Sequence, residues 1–288
     1  MRRAPPFILL LLIPVAVLAG LVWLDSAFGF AGRGRDYVIR LDLPPPAGEV
    51  GLPPIEGPLD PSRPLVVIDA GHGGFDPGAG SERVREKDVT LALARALRDR
   101  LIEGGGVRVA LTRGDDKFLV LEERAGIARR LKADLFISIH ADAAPTDEAR
   151  GGTVYVLSER GSNLAAAQLA EKENRANVIN GVQLSRQSDD VSSILVDLAQ
   201  REALTLSEDF AALILREGRG EMRFRESAIQ SAAFIVLKSA DLPSVLFEAG
   251  YITNPEDATW LKSGEGHDAF SKSVAQAIRV YFARHQPG

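Results

Sequence analysis

The chain has 288 residues, 45% of them hydrophobic and 25% charged, so it can fill a core and is not a mainly disordered polymer. Its 34 Lys and Arg are outnumbered by 39 Asp and Glu, and the net charge of −5 gives no support to a nucleic-acid-binding role. There is no cysteine, which excludes disulfides, thiolate metal sites and cysteine nucleophiles together and is compatible with any redox compartment.

Arg2 and Arg3 precede an apolar run from Phe7 to Leu24, which ends in small residues around Ser26 and Gly29. A basic start, an apolar run without a polar face and a small-residue exit make an export signal. The run approaches membrane-spanning length, so residues 1–31 read either as a cleaved signal peptide or as an uncleaved anchor. This segment is the expected connection to a membrane, and the rest of the chain is expected outside the cytoplasm. Residues 32–63 are rich in proline, including Pro44-Pro45-Pro46 and Pro53-Pro54, and read as an extended linker, with Tyr37 to Leu43 as a candidate strand.

The regular pattern starts at Pro64. Val66-Val67-Ile68 is a short β-branched run cut off by Asp69-Ala70-Gly71-His72-Gly73-Gly74, which predicts a buried strand delivering His72 to a glycine loop. Val89, Leu93, Ala96, Leu97 and Leu101 recur at helical spacing until Gly104-Gly105-Gly106 stops them. Strands are predicted at Val107 to Leu111, Leu135 to His140, Thr153 to Leu157, Phe234 to Leu237 and Val245 to Glu248, and helices at Leu121 to Leu131, from Ser207, and through Phe270, Val274, Ile278, Tyr281 and Phe282. Asn254 before Pro255 reads as a helix cap. The alternation predicts an α/β fold: a mostly parallel twisted sheet with helices on both faces, occupying residues 64–288. Residues from about 158 to 207 break the rhythm with helical segments near Asn163 to Asn174 and Ser192 to Gln200 but no clear strand, and read as a helical insertion.

His72 and His140 both end strands, and adjacent parallel strands bring such residues to one sheet edge, where sites of open α/β sheets collect. Two histidines and a carboxylate with an open fourth position form a catalytic zinc arrangement. Glu86, at the entry to the first helix, and Glu248, closing an apolar strand, are candidate acids. If zinc binds water there, a nearby carboxylate can take its proton and pass it to a leaving amine. Spacing alone leaves open whether the histidines are ligands or satisfied loop residues, and whether Glu86 is only a helix N-terminal acid. His267 and His285, in or beside the last helix, read as solvent-facing.

Four ordered segments, Val67 to Gly74, Glu86-Lys87-Asp88, Ser138 to Asp142 and Pro243 to Asn254, resemble the zinc-dependent N-acetylmuramoyl-L-alanine amidases, bacterial cell-wall amidases of the cell-separation type. The resemblance covers Pro64 to the C-terminus. It implies one zinc (Zn2+) held by His72, Glu86 and His140, with Glu248 as the catalytic glutamate. It also implies hydrolysis of the amide between the lactyl group of N-acetylmuramic acid and L-alanine of the peptidoglycan stem peptide, in wall remodelling and daughter-cell separation in the periplasm. The insertion is similar to one in cell-division amidases, where a helix covers the site until an activator protein displaces it; Glu173 matches the glutamate that contacts the zinc there. Larger members carry an additional wall-binding domain, whereas only the linker is expected here before Pro64. Arg113 and Arg124 lie in family-like contexts and read as structural ion-pair residues in preference to substrate contacts, and Asp69 as a packing, loop-capping or ligand-orienting acid. Because metal chemistry does not fix which amide is cut, a zinc carboxypeptidase-like hydrolase of wall peptides is the second reading and a non-catalytic wall-binding module the third.

Overall fold

The computed structural model describes residues 51–285 apart from 82–83, 145, 176–177, 180–181, 184–193 and 240. The expected export segment and the strand at Tyr37 to Leu43 lie outside the described residues. One six-stranded sheet runs in the order β4 (Arg108–Leu111), β1 (Leu65–Ala70), β5 (Leu135–Asp142), β10 (Ser244–Tyr251), β6 (Gly152–Leu157), β9 (Phe224–Ala232), and a separate antiparallel ladder joins β2 (Gly80–Ser81) to β3 (Val84–Arg85). Every pairing in the six-stranded sheet is parallel except that between β10 and β6. The central strands β1, β5 and β10 are buried along their whole length, as parallel strands covered on both faces must be.

Each face of the sheet carries its own core. On one side Val66, Ile68, Ile137, Ile139, Val245 and Phe247 pack against helices α1 (Glu86–Gly104), α4 (Ile194–Gly218) and α6 (Gly264–His285). On the other, Val67, Phe136, Tyr155 and Leu246 pack against α2 (Leu121–Arg130), α3 (Leu164–Asn174) and residues of the 3-10 turn Ile235–Leu237. Because side chains alternate along a strand, Ser138, His140 and Asp142 share the second face with Phe136, and Glu248 shares it with Leu246. The α/β architecture is therefore as expected from the alternation. A short helix α5 (Pro255–Lys262) follows β10, and Asn254 caps it by accepting from the Glu256 and Asp257 amides.

Four local expectations are corrected. Phe234 to Leu237 is not a strand: Phe234, Val236 and Leu237 are all buried around a 3-10 turn, so the apolar run has no strand face. The strand lies just before it, as β9, whose outer position leaves several residues exposed and hides it among polar letters. The helix expected from Ser207 begins at Ile194 and takes in the described part of the Ser192–Gln200 segment, and the interval read as free of strands holds the two-residue ladder β7 (Val178–Ile179) and β8 (Val182–Gln183). Within the stretch read as linker, Glu56 exchanges two backbone hydrogen bonds with Val109, at 2.7 and 2.9 Å, and so pairs with the outer strand β4.

Candidate active site

His72 follows β1 in a loop that the backbone holds tightly. Its φ is 57°, a left-handed conformation rare for a side-chain-bearing residue. Gly73 and Asp76 exchange backbone hydrogen bonds at 3.0 and 3.2 Å, closing the turn after it. Two fully buried arginines then gather the carbonyls of this loop. Arg124 donates to the carbonyls of Ala70 (2.8 Å), His72 (2.9 Å) and Leu119 (3.1 Å), and Arg113 to those of Ala70, Gly71 and Lys87, each at 2.8 Å. Asp69 balances Arg124 at 2.9 Å and also accepts from Thr112 Oγ1 (2.6 Å) and Ser138 Oγ (2.7 Å). Burial is the strongest influence on Asp69 and opposes its charge, but Arg124 and these hydrogen bonds outweigh it, leaving its pKa below 3.8. Arg124 makes the structural ion pair expected of it, with Asp69, whereas Arg113 serves structure without an ion pair among the described residues, bonding only carbonyls and the Thr90 hydroxyl; together they brace the loop.

β5 runs parallel to β1, with Ala70 opposite Ile139, and so delivers His140 beside His72. The two rings meet edge to face, 4.9 Å between centroids. Gly71 makes this possible, since a Cβ there would lie 2.5 Å from His140 Cε1 and Nε2. Glu86 opens α1, and its carboxylate is held by the Ala79 amide (2.8 Å) and the Ala141 amide (3.1 Å). That carboxylate reaches His72 Nε2 at 3.1 Å and His140 Nδ1 at 3.0 Å. Glu173, from α3, completes the group: its Oε2 stands 3.2 Å from His72 Nε2 and 3.3 Å from His140 Nδ1. One donor atom from each of His72, Glu86, His140 and Glu173 falls within 4.8 Å of the others, and all four residues are buried.

The donor chemistry fits a zinc ion. Two imidazoles with carboxylates are a zinc-type set. His72 Nδ1 is occupied by Asp76 Oδ2 at 2.8 Å, while the buried Nε2 has no hydrogen-bond partner and keeps its lone pair toward the cluster. Electrostatics agrees. Burial acts most strongly on both His72 and Glu86 and disfavours their charges. The Glu86 charge, the hydrogen bond to Asp76 and the close carboxylate of Glu173 nevertheless raise the His72 pKa well above 6.5, and the two histidines hold Glu86 well below 4.5. The acids here call for a cation, a role that protons fill until a metal displaces them.

Glu248 lies opposite His140 in the pairing of β10 with β5. Both its carboxylate oxygens are buried without a hydrogen-bond partner. Burial, then the charge of Asp142, pushes its pKa well above 4.5. Such a carboxylate is a stronger base than an ordinary glutamate and, once protonated, can hand the proton on.

The structure thus brings together all five residues singled out in the sequence. His267 and His285 are elsewhere, on α6, half-buried rather than solvent-facing; His267 bonds the Leu261 carbonyl at 2.9 Å and His285 packs on Tyr281. Sequence reasoning missed Asp76. Its place four residues after His72, ahead of Pro77-Gly78, was the available signal for a turn that folds the acid back onto the ring. It also missed the pair between Lys172 Nζ and Asp142 Oδ1, at 3.2 Å, which ties α3 to the end of β5.

Comparison with known proteins converges on one family. A family model described as N-acetylmuramoyl-L-alanine amidase matches residues 66–280. N-acetylmuramoyl-L-alanine amidase AmiA of Salmonella typhimurium is 39% identical over 223 residues, which are 77% of this chain and 77% of that protein. AmiC of Escherichia coli, of the same description, is 36% identical over 234 residues, 80% of this chain, and the match spans only 56% of AmiC. Among solved structures, N-acetylmuramoyl-L-alanine amidase AmiC2 of Nostoc punctiforme superposes with a TM-score of 0.55 at 28% identity, covering 77% of this chain and 98% of that one. With its sheet, its ordered motifs and the buried cluster at the sheet's edge, the chain belongs to the N-acetylmuramoyl-L-alanine amidase family.

Proposed function

We propose that this chain is a zinc-dependent peptidoglycan hydrolase that cuts the amide joining the lactyl group of N-acetylmuramic acid to L-alanine of the stem peptide. The observation that carries the reading is the convergence of His72 Nε2, Glu86 and His140 Nδ1 beside a Glu248 carboxylate that nothing else engages. His72, Glu86 and His140 would hold the zinc. When bound, zinc supplies Lewis acidity, polarising the scissile carbonyl and acidifying a water. Glu248 takes the proton from the attacking water and returns it to the departing L-alanine nitrogen, which its raised pKa suits. Asp76 holds His72 Nδ1 and so keeps Nε2 turned toward the carboxylates, where it would serve as the ligand atom. Gly78, with φ +67°, keeps the adjoining space open, because a Cβ there would lie 2.6 Å from both Glu86 Oε2 and His72 Cδ2.

The same geometry supports an autoinhibited resting state. Glu173 Oε2, close to both imidazoles, would add a fourth ligand to a bound zinc, whereas a catalytic zinc site keeps that position for water and substrate. An activator protein that draws α3 away would open the site. The export reading of residues 1–31 places this activity in the periplasm, with the apolar segment as signal or inner-membrane tether, and its natural role in wall remodelling and cell separation.

The test is incubation of the zinc-loaded chain with purified peptidoglycan and mass spectrometry of the products. The expected products are free stem peptides beginning with L-alanine and intact glycan strands; Glu248→Gln retains zinc and loses turnover, and Glu173→Ala raises the basal rate. Release of terminal D-alanine alone would overturn the amidase reading in favour of a carboxypeptidase, and absence of any product from the Glu173→Ala chain would overturn the hydrolase reading altogether.

A further inference from the structure

Beyond the metal cluster, the same edge of the sheet carries a cation that the mechanism above does not use. Arg225, on β9, is half-buried. Its guanidinium lies over the Tyr251 ring, 5.6 Å from the centroid, and Nη1 donates to the Tyr251 hydroxyl. Among the described residues no carboxylate lies within 4.0 Å of it. Its neighbours differ: Arg223 and Arg150 share the Glu256 carboxylate at 3.2 and 3.0 Å, and Lys172 is taken up by Asp142 and Glu173. A partly desolvated guanidinium without a counter-ion has a favourable place for an incoming anion.

Its position relates it to the reaction. Tyr251 is the last residue of β10, opposite Asp142, and its ring is buried. Glu248 stands three residues earlier on that strand, and a bulge between the two leaves them only two register positions apart, opposite His140 and Asp142, or about 7 Å at strand spacing. Two residues of extended peptide span roughly 7 Å, and an ion pair reaches up to about 4 Å further. The other cations here are already paired, Lys172 with Asp142 and Glu173 and both Arg150 and Arg223 with Glu256, which leaves Arg225 as the cation without a carboxylate among the described residues of this group. Resting on the amidase reading, we propose that Arg225, held by Tyr251, binds a carboxylate on the stem-peptide residue that follows L-alanine, and so selects substrates in which that group is free rather than amidated.

The experiment compares two synthetic N-acetylmuramoyl dipeptides that differ only in whether that carboxyl group is free or amidated. Cleavage is measured with the zinc-loaded full chain in the Glu173→Ala background, so that the inserted carboxylate does not mask the site. The free acid is favoured by roughly tenfold to hundredfold in kcat/KM, the size of a charge-assisted hydrogen bond, expressed mainly in KM. Arg225→Gln collapses the ratio toward one, Arg225→Lys restores part of it, and Tyr251→Phe leaves an intermediate ratio, with zinc content constant throughout. Equal efficiency on the two substrates, or a ratio that Arg225→Gln leaves intact, overturns the assignment while leaving the amidase reading standing. Cleavage of neither substrate overturns the amidase reading and this assignment with it.

Discussion

Replacing Asp76 with alanine tests whether the metal cluster is pre-organised by the turn that follows His72. The Asp76 carboxylate does two things: Oδ2 meets His72 Nδ1 at 2.8 Å, and Oδ1 accepts from the Gly78 amide at 3.0 Å. The first contact fixes the tautomer that leaves Nε2 without a proton, and a side chain only 17% exposed makes it a sheltered interaction. Loss of an outer partner of this kind lowers metal affinity about 10- to 100-fold, or roughly 1.4 to 2.8 kcal/mol. Asp76→Asn keeps one acceptor oxygen but not the charge, and should lose about half of that free energy. Zinc affinity is read by competition with a chromogenic chelator at fixed pH, with thermal unfolding of the apo chains as the control for folding. An Asp76→Ala chain that unfolds at the wild-type temperature and binds zinc within twofold of wild type would refute the reasoning. The ring would then be oriented by its left-handed backbone and by Arg124 at the His72 carbonyl instead.

Gly71→Ala puts a Cβ 2.5 Å from the His140 ring; zinc stoichiometry falls well below one per chain while far-UV circular dichroism stays native, at an overpacking cost of about 1–3 kcal/mol. Arg124→Met leaves the Asp69 carboxylate buried without its countercharge, and denaturant unfolding at neutral pH should show a loss of about 3–5 kcal/mol. The acid limb follows the sign of the Asp69 shift. Its folded pKa lies below the ordinary 3.8, so its contribution is present above 3.8 and is lost as pH falls through the folded value. The stability gap between wild type and Asp69→Asn should therefore narrow on acidification below 3.8, and a gap that widens there would refute the assignment.

Much of this protein was legible without coordinates because its key residues sit where one-dimensional patterns are strongest. Buried parallel strands are continuous apolar runs, so β1, β5 and β10 announce themselves, and a histidine or glutamate interrupting the end of such a run has few structural excuses. That logic reached His72, His140 and Glu248, and the family resemblance added roles for Glu86 and Glu173. The edge strand β9 escaped because half its residues face away from the core, and Phe234 to Leu237 misled because an apolar run buried on all sides has no period to read. Local sequence thus determined the fold class, the strands that matter and the chemical identity of the candidate site. Only the tertiary structure decided distances between residues remote in the chain: that Glu173 crosses about a hundred positions of sequence to stand 3.2 Å from His72, that Asp76 turns back onto the same ring, and that Arg225 is left over Tyr251 without an acid. Those contacts depend on the order and register of strands and on helix placement, which arise from packing the whole sheet and leave no mark on the letters beside them.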